Sequence, residues 1–170
     1  MTQKDFIGPD QTIKRTLTYN QKDLYQYFLK WFSERHYDII ELEYDEKVLD
    51  SGTRKINWRW IPEKKCEYYV KLIIDFRFEA KVNDVMVETS KGNKKKMQEG
   101  YVEGKFRAYI LRDVESDWTL NKENPTKRLI REMYDKLISK KKMSRYEDEV
   151  KEDMKNIMND FRTYVKTYKY

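Results

Sequence analysis

The feature that most constrains the fold is the stretch CEYYVKLIIDFRFEA, residues 66–80, in which apolar and charged positions alternate. One row of alternate positions is almost free of polarity: Cys66, Tyr68, Val70, Leu72, Ile74, Phe76, Phe78 and Ala80. The other row carries the charges, namely Glu67, Lys71, Asp75, Arg77 and Glu79. A period of two is that of a β-strand, because successive side chains point to opposite faces of a sheet. The stretch predicts a long strand with one buried face.

The same alternation recurs along the chain and predicts a sheet of about six strands. The predicted strands are Gln11–Tyr19, Asp38–Val48, Arg54–Trp60, Cys66–Val82, Val85–Val87 and Tyr101–Val114. Residues 1–10 are expected to form a loose tail. Pro62 has no N–H to donate, so it is expected to end the third strand. Asn83 and Asp84 are expected to form a tight hairpin between the fourth and fifth strands.

Helical spacing appears near both ends of the chain. Asn20 is the predicted N-cap of a first helix that ends near His36, and the carboxylate of Asp23 favours the positive end of the helix dipole. A further helix is predicted from Thr126. The S-x-x-E pattern of Ser144 and Glu147 is that of a capping box and predicts the start of another helix there.

The last predicted helix carries an apolar stripe as far as Tyr168, at the spacing typical of a buried helix face. Its stripe consists of Val150, Met154, Ile157, Met158, Phe161, Val165 and Tyr168. We therefore expect the final turns to pack against the sheet and a chain truncated before Phe161 to be unstable. The alternative is that this stripe binds a partner or a second copy of the chain.

One helix, a run of antiparallel strands and two final helices indicate an α+β protein, and 170 residues fit a single domain, 1–170. The element order resembles the helix-grip fold of START-like lipid-binding and polyketide-cyclase-type proteins. The resemblance covers residues 11–168 in order of elements only, without a residue motif, and the additional C-terminal helix departs from it. It implies a curved sheet that grips a long C-terminal helix.

The residue inventory excludes several kinds of site. Cys66 is the only cysteine and His36 the only histidine, so an intramolecular disulfide and a thiolate metal cluster are excluded, and no metal or cofactor is expected. No glycine-rich phosphate loop is present. No apolar run has the length of a signal segment or a membrane span, so a soluble, cytoplasmic protein is expected.

No residue stands out as catalytic, and enzymatic activity is left undecided. His36 is interpreted as a helix-end residue and Cys66 as a small buried side chain. Asp75 and Glu79 alternate with basic residues, which is typical of charge pairing across strands on a solvated face, and Glu41 with Glu43 invites the same interpretation. A catalytic carboxylate would need an apolar pocket that shifts its pKa.

Two lysine clusters support a nucleic-acid hypothesis. The first comprises Lys94, Lys95 and Lys96, with Lys91 nearby in the same predicted loop. The second comprises Lys140, Lys141 and Lys142, with Lys136 and Arg145 nearby. The net charge of +6 includes 36 basic and 30 acidic residues, a milder excess than obligate nucleic-acid binders carry. RNA or ribosome contact through these lysines is therefore the alternative hypothesis.

The leading hypothesis concerns the apolar rows. They provide enough bulky side chains either to fill the space under a curved sheet or to line a pocket. The pocket-lining candidates are Trp58, Trp60, Tyr68, Phe76, Phe78 and Phe106. The predicted function is a non-enzymatic binding protein that holds an apolar or amphipathic small molecule between the sheet and the C-terminal helices. A solid core would instead indicate a scaffold or interaction module.

Overall fold

The structure is a computed structural model that describes residues 2–67, 70–113 and 125–167. The elements in chain order are β1 (Thr2–Tyr19), α1 (Gln21–Glu34), β2 (Asp38–Val48), β3 (Arg54–Glu67), β4 (Val70–Glu88), β5 (Lys94–Asp113) and α2 (Pro125–Thr167). The strands form one antiparallel sheet in the order β1-β5-β4-β3-β2. The α+β class is confirmed. The described residues contain five strands and two helices, where six strands and three helices were predicted.

Three strand boundaries differ from the sequence-based prediction because strand pairing continues through them. β1 begins at Thr2, opposite Asp113 of β5, so residues 2–10 belong to the sheet and not to a loose tail. Pro62 lies inside β3, opposite Ile39 of the edge strand β2. Its missing N–H does not end the strand.

The hairpin predicted at Asn83 and Asp84 is also wrong. Both residues lie within β4, opposite Glu99 and Gln98 of β5, and β4 extends to Glu88. The chain turns instead at residues 89–93, where Thr89 and Asn93 are joined by a backbone hydrogen bond of 2.8 Å. β4 and β5 therefore form one long ladder, which local turn preferences did not indicate.

The predicted first helix is confirmed, including its N-cap. The side-chain oxygen of Asn20 accepts a hydrogen bond of 2.9 Å from the backbone N–H of Asp23. At the other end, His36 has a φ of 62°. The N–H of Tyr37 donates to the carbonyl of Phe32 at 3.0 Å, and that of His36 donates to Ser33 at 3.1 Å. This is a Schellman ending, with His36 at the position that glycine usually occupies.

α2 is one continuous helix of 43 residues, so the separate helix predicted from Ser144 is not present. Ser144 lies in mid-helix with an exposed side chain. No glycine or proline follows Pro125 in this helix, so nothing in the backbone interrupts it. The predicted packing of its C-terminal part is seen at Phe161 and Tyr164. Tyr168 lies outside the described residues.

Both helices lie on the same face of the sheet, which is called the inner face below. α1 contributes Leu24, Phe28 and Phe32 to the core, and α2 contributes Val150, Ile157 and Phe161. The inner face contributes buried side chains from all strands except the exposed edge strand β2. No helix in the described part of the chain combines the length and the apolar character that crossing a membrane requires.

Candidate functional site

Five of the six pocket-lining candidates lie buried on the inner face of the sheet. Trp58 and Trp60 come from β3, Phe76 and Phe78 from β4, and Phe106 from β5, each 0–1% exposed. The sixth, Tyr68, lies outside the described residues. From Val70 to Ala80 the apolar row of the opening stretch is therefore core, and Cys66 at its start is half-buried.

The rings of these residues pack against each other and against α2. Trp58 stacks on Phe78 with 4.1 Å between the ring centroids, and Phe76 stacks on Phe106 at 4.8 Å. Phe161 of α2 approaches Phe106 edge-on at 6.0 Å. A Cβ atom added to Gly104 would lie 3.2 Å from both the Phe106 and the Phe161 ring. The space between the sheet and α2 is filled at this point.

An open cleft lies elsewhere, between the first turns of α1 and the edge of the sheet. Its volume is about 570 Å³, within the ~300–1,000 Å³ typical of small-molecule pockets. Its lining comprises Asn20, Gln21, Lys22 and Tyr25 from the start of α1, Glu41, Tyr44 and Glu46 from β2, Arg54 from β3, and Lys96 with Gln98 from β5. "The cleft" below refers to these residues.

Tyr25 joins the cleft to the aromatic core. Its ring meets Trp60 edge-on at 4.9 Å and Tyr44 at 6.0 Å. Its hydroxyl donates a hydrogen bond of 2.7 Å to Oε2 of Glu41, which also accepts one of 2.8 Å from the Trp60 indole. Burial, with the hydrogen bond to Glu41 as a second cause, raises the pKa of Tyr25 to about 12. At neutral pH this tyrosine is therefore a hydrogen-bond donor rather than a base.

The opposite end of the cleft is a polar network around Asp84. The Gln98 amide accepts a hydrogen bond from the backbone N–H of Gln21 at 2.8 Å and donates one to Asp84 at 3.0 Å. Arg54 and Lys96 add cations at 3.0 and 3.1 Å from the Asp84 carboxylate. The hydrogen bond from Gln98, followed by those from Lys96 and Arg54, lowers the pKa of Asp84 to about 2. Arg54 also pairs with Glu46.

Several buried polar atoms next to this network have no hydrogen-bond partner within the part of the chain that the structure describes. They are both side-chain amide atoms of Gln21, the Nε of Arg54 and the hydroxyl of the fully buried Tyr19. Native proteins leave few such atoms unpaired, because each costs roughly 1–3 kcal/mol. These atoms are shielded from solvent, so they lie beneath the wall of the cleft and not on its surface.

The predicted charge pairing across strands is confirmed for two carboxylates on the outer face. Arg59 binds Asp75 through two hydrogen bonds of 3.0 and 2.7 Å, and Lys105 lies 3.5 Å from Glu79. Asp75 is only 6% exposed, so its position is less solvated than the alternation suggested. Glu41 differs from Asp75 and Glu79. It lies on the cleft side of the sheet and accepts hydrogen bonds from uncharged groups, the Tyr25 hydroxyl and the Trp60 indole.

The first lysine cluster begins β5 instead of lying in a loop. Its members Lys94, Lys95 and Lys96 are exposed, but Lys95 pairs with Asp23 at 2.8 Å and Lys96 with Asp84. These carboxylates reduce the attraction that the cluster would exert on a phosphate backbone.

The second lysine cluster lies on α2, where Lys140, Lys141 and Lys142 are exposed. Lys142 lies 3.1 Å from Glu67 at the end of β3. The two clusters are therefore on different elements, one beside the cleft and the other on the helix.

The other candidate reactive groups have structural surroundings. His36 is the left-handed residue that ends α1. Burial raises the pKa of the Cys66 thiol to about 11, so the reactive thiolate is scarce at neutral pH. Among the described residues, no group of histidine, cysteine, aspartate and glutamate side chains is placed to hold a metal ion.

Sequence reasoning missed the cleft because its residues come from four separate elements. The one local signal was Asn20, which was recognised as a helix cap and not as a cleft residue. In comparison with known proteins, no protein-family model matches the chain, and no curated protein matches it significantly.

Proposed function

We propose that the chain is a binding protein whose ligand is an amphipathic small molecule held in the cleft. An apolar or aromatic part of the ligand lies against Tyr25 and Tyr44, and a polar part faces Arg54 and Gln98. The observation that carries the proposal is the open cleft of about 570 Å³, whose lining places two tyrosine rings beside cations and amide groups. The ligand class is the one predicted from the sequence, but the proposed site lies on the α1 side of the sheet and not between the sheet and α2.

The composition of the cleft supports binding of a ligand with both polar and aromatic character. It combines two tyrosines and three amide side chains with three cations and two carboxylates. A few convergent polar groups next to aromatic side chains are typical of small-molecule sites. Tyr44 is 47% exposed, so its ring is accessible to a ligand without rearrangement of the core.

The helix-grip assignment belongs to the same proposal. A strand, a short helix, antiparallel strands and one long final helix follow one another in the order expected for that fold. The continuous α2 removes the extra helix that departed from it. In this arrangement the sheet is curved, and the ligand lies at its open end beside α1 while Phe161 fills the part under α2.

A melting experiment with small amphipathic probes tests the proposal. Aromatic carboxylates and aromatic amines are added to the full chain, and the probes that raise the melting temperature are kept. We expect Tyr44→Ser to weaken binding of these probes at least about tenfold, because it removes one aromatic wall. The matched control is Tyr101→Ser, since Tyr101 is also a strand tyrosine, 38% exposed, but lies on the outer face.

Two results would overturn the cleft proposal. One is equal weakening by Tyr44→Ser and Tyr101→Ser, and the other is the absence of any stabilising probe at millimolar concentration. In that case the scaffold alternative becomes stronger, because Ile40, Leu42 and Val48 of the edge strand β2 are 44%, 56% and 69% exposed. An exposed edge strand is a common site of pairing with another chain.

RNA binding stays a second proposal, based on the exposed lysines of both clusters. Phosphate-driven binding weakens steeply as the salt concentration rises. Titration of the full chain with mixed RNA at low and at physiological salt tests it directly, and absence of binding at low salt would overturn it.

A further inference from the structure

α2 consists of two parts with different surroundings. Its C-terminal part packs on the sheet through Tyr146, Val150, Met154, Ile157, Met158 and Phe161, all of them buried. The part formed by residues 125–145 is called the basic arm below. Every arm side chain described before position 143 is exposed, and these include two large apolar ones, Leu129 at 62% and Met133 at 61%.

The apolar positions of the basic arm lie on a different side of the helix from those that pack on the sheet. They are Leu129, Ile130, Met133, Tyr134, Leu137 and Ile138. At about 100° per residue, these positions occupy an arc roughly 180° wide. The centre of that arc is roughly 140° away from the centre of the sheet-packing positions between 146 and 161. The two described side chains of this arc, Leu129 and Met133, are both exposed.

The charge of the whole chain is concentrated in the same segment. The basic arm contains eight Lys or Arg residues and two Asp or Glu residues, which gives a net charge of +6. The full chain also has a net charge of +6, so the remaining residues are neutral in sum. The exposed members described by the structure are Lys136, Lys140, Lys141, Lys142 and Arg145.

We propose that the basic arm binds anionic lipid membranes, lying along the surface with its apolar arc in the headgroup boundary. Interfacial helices combine exposed apolar side chains with basic ones, and the arm carries the exposed Leu129 and Met133 on the same helical segment as a run of exposed lysines. The apolar arc inserts beneath the headgroups, and the lysines and arginines attract the anionic lipids. This surface is separate from the cleft, so the inference does not depend on the proposed ligand.

Charge and apolar exposure together favour lipid over the other occupants. A second copy of the chain would bring two segments of +6 together, and like charges repel. RNA would satisfy the lysines but would leave the aliphatic side chains of Leu129 and Met133 without apolar contacts. An anionic membrane provides negative charge for the lysines and an apolar environment for the exposed aliphatic side chains.

The test is co-sedimentation of the full chain with vesicles at two salt concentrations. One vesicle preparation contains phosphatidylcholine only, and the other contains about a third phosphatidylserine, enough to set a negative surface potential. We expect binding to the anionic vesicles that weakens with salt, and little binding to the neutral ones. Absence of binding to anionic vesicles at low salt overturns the proposal.

Vesicle binding by charge variants tests whether the basic arm is the membrane-binding surface. Lys140→Glu with Lys141→Glu should reduce the partition coefficient at least about 25-fold, since each basic residue near the surface contributes roughly fivefold. Lys55→Glu with Lys81→Glu is the matched control, because these exposed lysines face each other across β3 and β4 and the charge change is identical. Equal effects of the two pairs would overturn the assignment to the basic arm.

An uncharged variant separates lipid from RNA. Leu129→Ser with Met133→Ser leaves the charge unchanged and should reduce vesicle binding at least about tenfold, because two exposed apolar side chains no longer insert. Both side chains are exposed, so the melting temperature of the variant should equal that of the wild type. If the variant binds vesicles as well as the wild type, or if RNA binds more tightly than vesicles and equally to both chains, the lipid proposal is wrong.

Discussion

The inner face of the sheet carries two aromatic regions, one under α2 and one beside the first turns of α1, and they differ in what covers them. Under α2, Phe161 reaches the Phe106 ring, and a Cβ at Gly104 would lie only 3.2 Å from both rings. Beside α1, Tyr25 covers Trp60 but leaves the cleft open between the helix and β2. The strand aromatics are core in both regions, and the α1 side differs because Tyr25 and Tyr44 border an open cleft instead of filling it.

The largest expected effect comes from removing the side chain that fills the α2 region. Phe161 is fully buried, so Phe161→Ala should lower the free energy of unfolding by about 3–5 kcal/mol. Tyr44→Ala, on the open side of the comparison, should cost less than about 1 kcal/mol because Tyr44 is 47% exposed. Urea denaturation of both variants measures the contrast, and equal costs would contradict it.

A small-to-large change probes how completely the α2 region is filled. Gly104→Ala places a Cβ 3.2 Å from the rings of Phe106 and Phe161, so it should destabilise the protein by about 1–3 kcal/mol. In a Phe161→Leu background the same change should cost less, since the crowding ring is gone. A Gly104→Ala variant as stable as the wild type would indicate free space under α2.

The polar end of the cleft should make its own contribution to stability, and this contribution depends on pH. The pKa of Asp84 is lowered to about 2, so its carboxylate stabilises the fold above the unfolded pKa of ~3.9 and loses this effect as the pH falls toward 2. Its side chain is 33% exposed, so we expect Asp84→Asn to cost only about 1–2 kcal/mol at pH 7 and almost nothing near pH 2.

Urea denaturation of Asp84→Asn and wild type at several pH values checks this dependence. Asp50→Asn, at an exposed turn position, is the control and should have little effect at either pH. A cost of Asp84→Asn that stays constant between pH 7 and pH 2 would show that the ionised carboxylate is not what stabilises this end of the cleft.

The smallest effect is expected at the end of α1 that lies away from the cleft. His36 has a φ of 62°, which is unfavourable for a residue with a Cβ. His36→Gly should therefore raise the stability by about 0.5–1 kcal/mol, while His36→Ala should not. Thermal melts of the two variants measure the difference, and a destabilised glycine variant would mean that the imidazole makes a contact that outweighs the strain.

Sequence patterns were sufficient where structure is local. Asn20 and Asp23 predicted the start of α1, and alternation predicted the long β4 and the burial of Trp58, Trp60 and Phe76. Sequence patterns failed where pairing between strands that are distant in the sequence decides the structure. Asn83 and Asp84 have turn preferences but stay in β4 because Glu99 and Gln98 of β5 pair with them.

The candidate site could not be predicted from local sequence patterns, because its residues come from elements that are distant in the sequence. Glu41 was interpreted as part of a solvated face, since its two donors, Tyr25 and Trp60, come from other elements. Ser144 matched a capping box, but with no helix-breaking residue beside it the helix continued. A capping pattern indicates a helix start only where something ends the preceding helix.

The central claim, a filled α2 region and a ligand-binding cleft beside α1, is tested most directly by NMR. Amide and indole N–H signals of the full chain are followed during titration with an aromatic carboxylate or amine that raises the melting temperature. We expect the Trp60 indole signal to shift, because that N–H lies 2.8 Å from Glu41 in the cleft, while the Trp31 indole, bonded to Asp160, and the Gly104 amide stay unchanged. A shift at Gly104 with an unchanged Trp60 indole would place the ligand under α2 and contradict the account.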